Sequence, residues 1–237
     1  MNILIERLQV LWALRRQLAN QVVELRCLPT GLRGFYLRCW WHALRLGDSA
    51  VFLAPASPRQ TALLLALGRD VERVVELGTG AGMTAAALVL AEPHRRVISY
   101  DLEAWPQQAR HLALLGSDVR SRIEIRHRPA ESGPNSEDAP VGLLFVDSSH
   151  EEEETVASFR AWEPALAPGA LAIFHDYTNS EFPGVRMAVE RLELGGQVQE
   201  GMFIWRREPT ARNTERGSAP RSAQSSTPAL ERGKPRP

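Results

Sequence analysis

Four short stretches of this 237-residue chain set acids, histidines and glycines at spacings that can do chemistry. The first is Val74-Val75-Glu76-Leu77-Gly78-Thr79-Gly80-Ala81-Gly82, an apolar run ending in three alternating glycines before an alanine-rich segment. Glycines there allow a tight turn and let a ligand approach a helix N-terminus. The second is Asp101, which closes the run 96–100. An acid ending a second strand, about 20 residues past a glycine loop, suits the hydroxyls of a ribose. The third and fourth are Asp147-Ser148-Ser149-His150 and His175-Asp176, each after an apolar run. Paired carboxylates with water can hold a hard dication such as Mg²⁺. An imidazole titrates near neutrality and can take a proton from a reacting hydroxyl. Plainer roles stay open beside these: Asp147 and Asp176 as caps or loop-amide acceptors, and His150 as a loop histidine.

The glycine loop narrows the ligand. A dinucleotide fingerprint, G-x-G-x-x-G/A, would meet Met83 at its last position. A phosphate loop needs Gly-Lys-Ser/Thr, and this glycine loop has no Lys. Glu76 would repel a pyrophosphate but suits a cationic amine. A nucleoside with a ribose, no pyrophosphate and a positive amine describes S-adenosylmethionine.

Alternating elements must position these residues. Strands are expected at 73–77, 96–101, 122–127, 141–147 and 169–174, rich in Val, Ile, Leu and Phe as buried parallel strands are. Helices are expected at 59–68, 82–91, 105–115, 151–166 and 184–194. This rhythm predicts an α/β fold with a mainly parallel sheet covered on both faces. Residues 197–206 read as a hairpin around Gly201, with one strand antiparallel. Val156, Phe159, Trp162 and Leu166 share a helical face and are expected in the core, whereas Glu151–Glu154 suit a solvated helix start.

Upstream, residues 2–28 read as an amphipathic helix broken by Pro29, Gly31 and Gly34, with Phe35, Tyr36, Trp40 and Trp41 beyond. Residues 1–58 are therefore expected to form a helical cap or dimerisation segment, 59–207 the ligand-binding domain, and 208–237 a disordered tail. In that tail Leu230 is the only large aliphatic residue. The N-terminal face leaves a homo-oligomer or a weak membrane-surface contact open.

Composition excludes other classes. The chain carries 28 basic and 28 acidic residues, 44% hydrophobic and 24% charged overall. Residues 1–50 hold seven Arg against three acids, whereas 51–205 hold 13 basic against 22 acidic residues. An acidic middle does not suit a nucleic-acid binder, which needs a concentrated basic surface. Cys27 and Cys39 are too few for a disulfide framework and are expected as small buried side chains in a reducing, cytoplasmic protein.

Residues 73–206 resemble class I S-adenosylmethionine-dependent methyltransferases. The likeness is greatest to small-molecule O-methyltransferase-like families whose fourth strand ends Asp-x-x-His and whose fifth ends His-Asp. It rests on the glycine loop, Asp101, Leu144-Phe145-Val146-Asp147-Ser148-Ser149-His150, Ala172-Ile173-Phe174-His175-Asp176-Tyr177 and Pro183-Gly184-Val185. The resemblance implies a Rossmann-like seven-stranded sheet whose last strand is antiparallel. It implies that Glu76, Gly78, Thr79, Gly80 and Gly82 surround the methionine part of the cofactor. Asp101 would hold the ribose, Leu102 would lie against adenine, and Ala130 and Glu131 would lie at the adenine edge. It further implies Asp147 and Asp176 as metal ligands and His150 as the base acting on a small-molecule acceptor, a sugar or natural-product hydroxyl. An N-methyltransferase, another user of the same cofactor, or a binding protein that keeps the fold are the alternatives.

Overall fold

The structure, a computed structural model, describes residues 18–46, 48, 50–53 and 55–209. Most of the expected tail, and residues 2–17 of the expected first helix, lie outside these. A helical stretch at 18–24 leads through a 3₁₀ turn, Leu25–Cys27, to α1 (Thr30–Leu46). The turn α2 (Ala50–Leu53) and helix α3 (Pro58–Leu67) follow. Then come β1 (Arg73–Leu77), α4 (Met83–Ala91), β2 (Arg96–Asp101), α5 (Pro106–Leu112), α6 (Ser117–Arg120), β3 (Ile123–His127) and β4 (Val141–Val146). The chain continues with α7 (Glu152–Trp162), β5 (Leu166–Phe174), α8 (Pro183–Arg191), β6 (Gly196–Gln199) and β7 (Met202–Arg206).

Gly31 and Gly34, expected as breakers, lie inside α1. Only Pro29, which lacks the amide a helix interior needs, stays outside it. Neither glycine is required by crowding, since an added Cβ meets nothing at Gly31 and only the Arg38 side chain, at 3.9 Å, at Gly34. Cys39 is buried as expected, but Cys27 is exposed. The expected helix 105–115 is shorter, α5 ending at Leu112, and the short helix α6 beyond it was not expected.

The seven strands form one sheet in the order β3-β2-β1-β4-β5-β7-β6. The first five are parallel, while β7 runs antiparallel to both β5 and β6. Strand order reverses between β1 and β4, and ligands bind open α/β sheets outside the carboxyl ends of strands at such a point. The register aligns those ends: Leu77 pairs with Tyr100 and with Val146, and Val146 pairs with Phe174. Gly78, Asp101, Asp147 and His175, the next residues along or the last in strand, therefore reach the same rim of the sheet.

Each face has its own core. On one, α4 is buried from Met83 through Val89. A helix apolar all round needs cover on both sides. The sheet covers one side of α4, and Leu64 of α3 with Phe35, Tyr36, Cys39 and Trp40 of α1 belong to the same buried cluster. On the other face Phe159 and Trp162 of α7 and Val185 and Val189 of α8 pack on Val75, Leu144 and Phe174. Burying each such side chain stabilises the fold by about 1.5–3 kcal/mol. Arg95, fully buried, bonds the carbonyls of Gly68, Val71 and Leu88, so its charge is spent on otherwise unpaired backbone. No helix among the described residues is long and apolar enough to cross a membrane.

Candidate active site

A cleft of about 920 Å³ opens on the carboxyl rim of the sheet. The glycine loop and Asp101 form one part of its wall, and Asp147, His150, His175 and Asp176 another. Leu102, Ala130 and Glu131 line it as well.

The three loop glycines have separate jobs. Gly78, at φ +100°, brings β1 so close to β4 that an added Cβ would lie 2.0 Å from the carbonyl oxygen of Asp147. Gly80, at φ +47°, has open space where a Cβ would point and forms part of the cleft wall. Gly82, at φ +74°, precedes the first turn of α4 and lies against Gln108 and Leu112, away from the cleft lining. Thr79 bonds Ser99 across the strand ends at 2.7 Å.

Glu76 does not line the cleft. It is 1% exposed beneath the loop, where Ser99 Oγ donates to Oε2, and Oε1 has no hydrogen-bond partner. Burial pushes its carboxyl up to about 8, with Asp147 and Asp101 adding repulsion and the Ser99 bond opposing. Asp101 spends one oxygen on the loop, since the Gly80 amide donates to Oδ2 at 2.8 Å. Leu102 is 70% exposed, which leaves a broad apolar face at the cleft wall.

Some contributors went unnoticed in the sequence. Arg128 lies over the Tyr100 ring, 5.1 Å from its centroid, and bonds the Tyr100 hydroxyl at 2.9 Å and the Gly133 carbonyl at 3.0 Å. It thereby fixes the loop carrying Ala130, whose carbonyl also accepts from the Trp162 indole at 2.9 Å. Trp162 is thus core, as expected, and a loop anchor too. Gln60 of α3, and Asn179 and Phe182 of the connection between β5 and α8, reach the acidic part of the cleft.

That part is a connected set. Nδ1 of His175 lies 2.9 Å from Asp147 Oδ1 and 3.1 Å from Asp176 Oδ2, and its Nε2 lies 3.2 Å from Gln60 Oε1. Burial alone would depress this imidazole, but Asp147 and then Asp176 outweigh it and raise His175 to about 10. Asp176, in the left-handed region at φ +53°, receives His150 Nε2 on Oδ2 at 3.2 Å and Asn179 Nδ2 on Oδ1 at 3.1 Å. Burial would raise its carboxyl, yet hydrogen bonds from His150 and His175 and the charge of His175 hold it far below the usual carboxylate range. His150 stacks on Phe182 with centroids 3.8 Å apart. Behind it, Gly184 of α8 packs so closely that a Cβ would lie 2.3 Å from the His150 carbonyl oxygen. The acidic run after His150 divides: Glu152 and Glu153 meet Arg191 of α8, while Glu154 lines the cleft.

The strand order, with β7 antiparallel and a glycine loop after β1, is the fold of class I S-adenosylmethionine-dependent methyltransferases. Residues 75–177 match the family described as a methyltransferase domain. Solved structures of similar fold include a TDP-rhamnose 3′-O-methyltransferase of calicheamicin biosynthesis, with a TM-score of 0.53 and 17% identity over 75% of this chain and 95% of that one. The O-methyltransferase TomG from Streptomyces achromogenes, involved in tomaymycin synthesis and solved with S-adenosylmethionine, has a TM-score of 0.53 and 20% identity over 74% and 89%. Cofactor-bound Rv0187 from MTB has a TM-score of 0.55 and 20% identity over 72% and 90%. A search of curated proteins gave no significant match.

Proposed function

We propose that the protein transfers the methyl group of S-adenosylmethionine to a hydroxyl of a small molecule, of the sugar or natural-product kind. The observation that carries this reading is that the glycine loop with Asp101 and the His150–Asp176 pair share one cleft. Methyl transfer is an in-line displacement with a neutral thioether leaving, so holding donor and acceptor in line supplies most of the acceleration. A hydroxyl must also lose its proton. Asp176 holds Nε2 of His150 and Phe182 fixes the ring plane, which leaves Nδ1 to receive that proton while Asp176 stabilises the resulting imidazolium. Such a base would be superfluous in a protein that only bound the cofactor, and less needed for an amine acceptor.

Glycines 78 and 80, Thr79 and Asp101 would hold the methionine and ribose parts, with Leu102, Ala130 and Glu131 at the base. Glu76 would act from below, on the loop. The expected Mg²⁺ at Asp147 and Asp176 meets a donor set that does not suit it. The atom converging with those carboxylates is a histidine nitrogen, whereas Mg²⁺ prefers oxygen in near-ideal octahedral order. No step is assigned to Mg²⁺.

Calorimetry with S-adenosylmethionine and its demethylated product, followed by a methylation screen over hydroxylated and aminated acceptors, tests the reading. His150→Ala should lower turnover about 10²–10⁴-fold while cofactor affinity is kept. Failure to bind either cofactor form, or methylation of amines alone, would overturn the proposal.

A further inference from the structure

We propose that one turn of α5, through His111 and Gln108, is a brace that holds the glycine loop in its cofactor-binding shape, with His111 as a positioning residue. The effect on cofactor affinity rests on the cofactor part of the reading above; the brace itself does not.

The loop does not keep its shape unaided. Gly80 and Gly82 lie in the left-handed region, at φ +47° and +74°, and glycine loses more conformational freedom on being fixed than any other residue. Contacts from outside the loop must offset that entropy. One side is held from β2: Thr79 Oγ1 bonds Ser99 Oγ at 2.7 Å, and the Gly80 amide donates to Asp101 Oδ2 at 2.8 Å. The other side is held by α5. Gln108 Nε2 donates to the Gly80 carbonyl at 3.4 Å, and His111 Nδ1 meets the Ala81 carbonyl at 2.9 Å. Gly82, where an added Cβ would lie 3.5 Å from Gln108 and 3.6 Å from Leu112, packs on the same face. Residues 108, 111 and 112 stand at i, i+3 and i+4, so three consecutive loop residues meet one turn of helix.

Neither bracing side chain touches the cofactor space. Gln108 and His111 are 6% and 2% exposed and do not line the cleft, whereas Gly80 and Ala81 do. The His111 bond is the shorter and the more buried of the two. A carbonyl oxygen only accepts, so Nδ1 carries the hydrogen whatever the charge of the ring. A loop already set in its bound shape incurs no further ordering cost when the ligand arrives, and such preorganisation raises affinity. The brace also joins two walls of the cleft. The Trp105 carbonyl accepts from the Gln108 amide at 3.0 Å, and Trp105 lines the cleft with Leu102.

Hydrogen exchange on the full-length, cofactor-free protein reads the brace directly. Leu at position 111 keeps bulk but no donor, while Asn carries an N–H near the place of Nδ1. His111→Leu should speed exchange of the Gly80 and Gly82 amides about tenfold, Gln108→Leu about threefold, and His111→Asn should restore protection. Calorimetry with the demethylated cofactor should show binding weakened by about the same factors and recovered in His111→Asn. In methylation assays the KM for S-adenosylmethionine should rise in His111→Leu, with kcat at saturation within about twofold. A lower melting temperature with unchanged loop exchange and unchanged cofactor affinity would make His111 merely structural and overturn the proposal. If His111→Leu fails to fold, unchanged exchange and affinity in Gln108→Leu would overturn it instead. Wild-type protein that binds neither cofactor form sinks the reading above, and the exchange data then decide the brace by themselves.

Discussion

At the residue scale, Glu76 shows what position in a motif does not disclose. The acid before the glycines was expected beside the cofactor's amine, yet it is sealed under the loop with a raised carboxyl. A group whose folded pKa lies above its unfolded value adds stability at low pH and loses it as pH rises through the folded value. The melting temperature of the cofactor-free protein should therefore decline from about pH 5 towards pH 8–9. Glu76→Gln, which needs no proton to stay neutral, should flatten that decline; parallel profiles would show that Glu76 is ionised throughout. The glycines invite a second comparison. Gly78→Ala forces a Cβ onto the Asp147 backbone at positive φ and should cost about 1–3 kcal/mol or more. In a chain of this size that is roughly 2–4 °C of melting temperature per kcal/mol. Gly80→Ala, with open space around it, should cost about 1 kcal/mol yet lower cofactor affinity measurably. Equal stability of the two variants would contradict this division of roles.

Elements were more legible than contacts. The strand limits Arg73–Leu77 and Arg96–Asp101 coincide with those expected, because buried parallel strands write themselves as continuous Val, Ile and Leu. β5 begins at Leu166, three residues earlier than the expected 169, and takes in Pro168. Pro168 lies where β5 shifts register against β4, a place that tolerates a missing amide. The strand-end residues Asp101, Asp147, His150, His175 and Asp176 were readable from position alone. Gln60, Arg128 and Asn179 were not, because each enters from an element whose placement depends on the completed sheet. Local spacing holds no record of that. The packing of α8 behind His150 is one such contact. Gly184→Ala should push α8 away from the His150 backbone and carry Phe182 with it. We expect turnover to drop at least tenfold while cofactor affinity holds. Unchanged turnover in a folded variant would show that the stacking of Phe182 on His150 tolerates the shift.

For the whole molecule, the cleft joins loops from both halves of the sheet, so a bound cofactor should tie them together. A ligand that binds only the folded state, present at 100 times its dissociation constant, stabilises by about 2.7 kcal/mol. The demethylated cofactor should therefore raise the melting temperature by roughly 5–10 °C. No shift at saturation would argue that the cleft does not recognise it. The two apolar cores lie on opposite faces of one sheet, and α4 needs α1 and α3 as its outer cover. Removing residues 18–57 should accordingly expose an apolar helix and yield aggregated protein, checked by size-exclusion chromatography. A soluble, monodisperse truncation would show that the N-terminal helices are dispensable to this core.

The grip on Gln60 has a consequence for the order in which the protein can be made. Its amide spans 140 positions to the Glu200 carbonyl, Arg59 meets the Glu200 carboxylate at 2.9 Å, and the Thr178 amide donates to Gly201. Early, middle and late parts of the chain thus meet at His175. On a ribosome the glycine loop and first strands can pair long before the last hairpin emerges, but His175 is aligned only when β6 and β7 close. If the proposed function holds, the nascent chain would have its cofactor loop early and its reacting centre last.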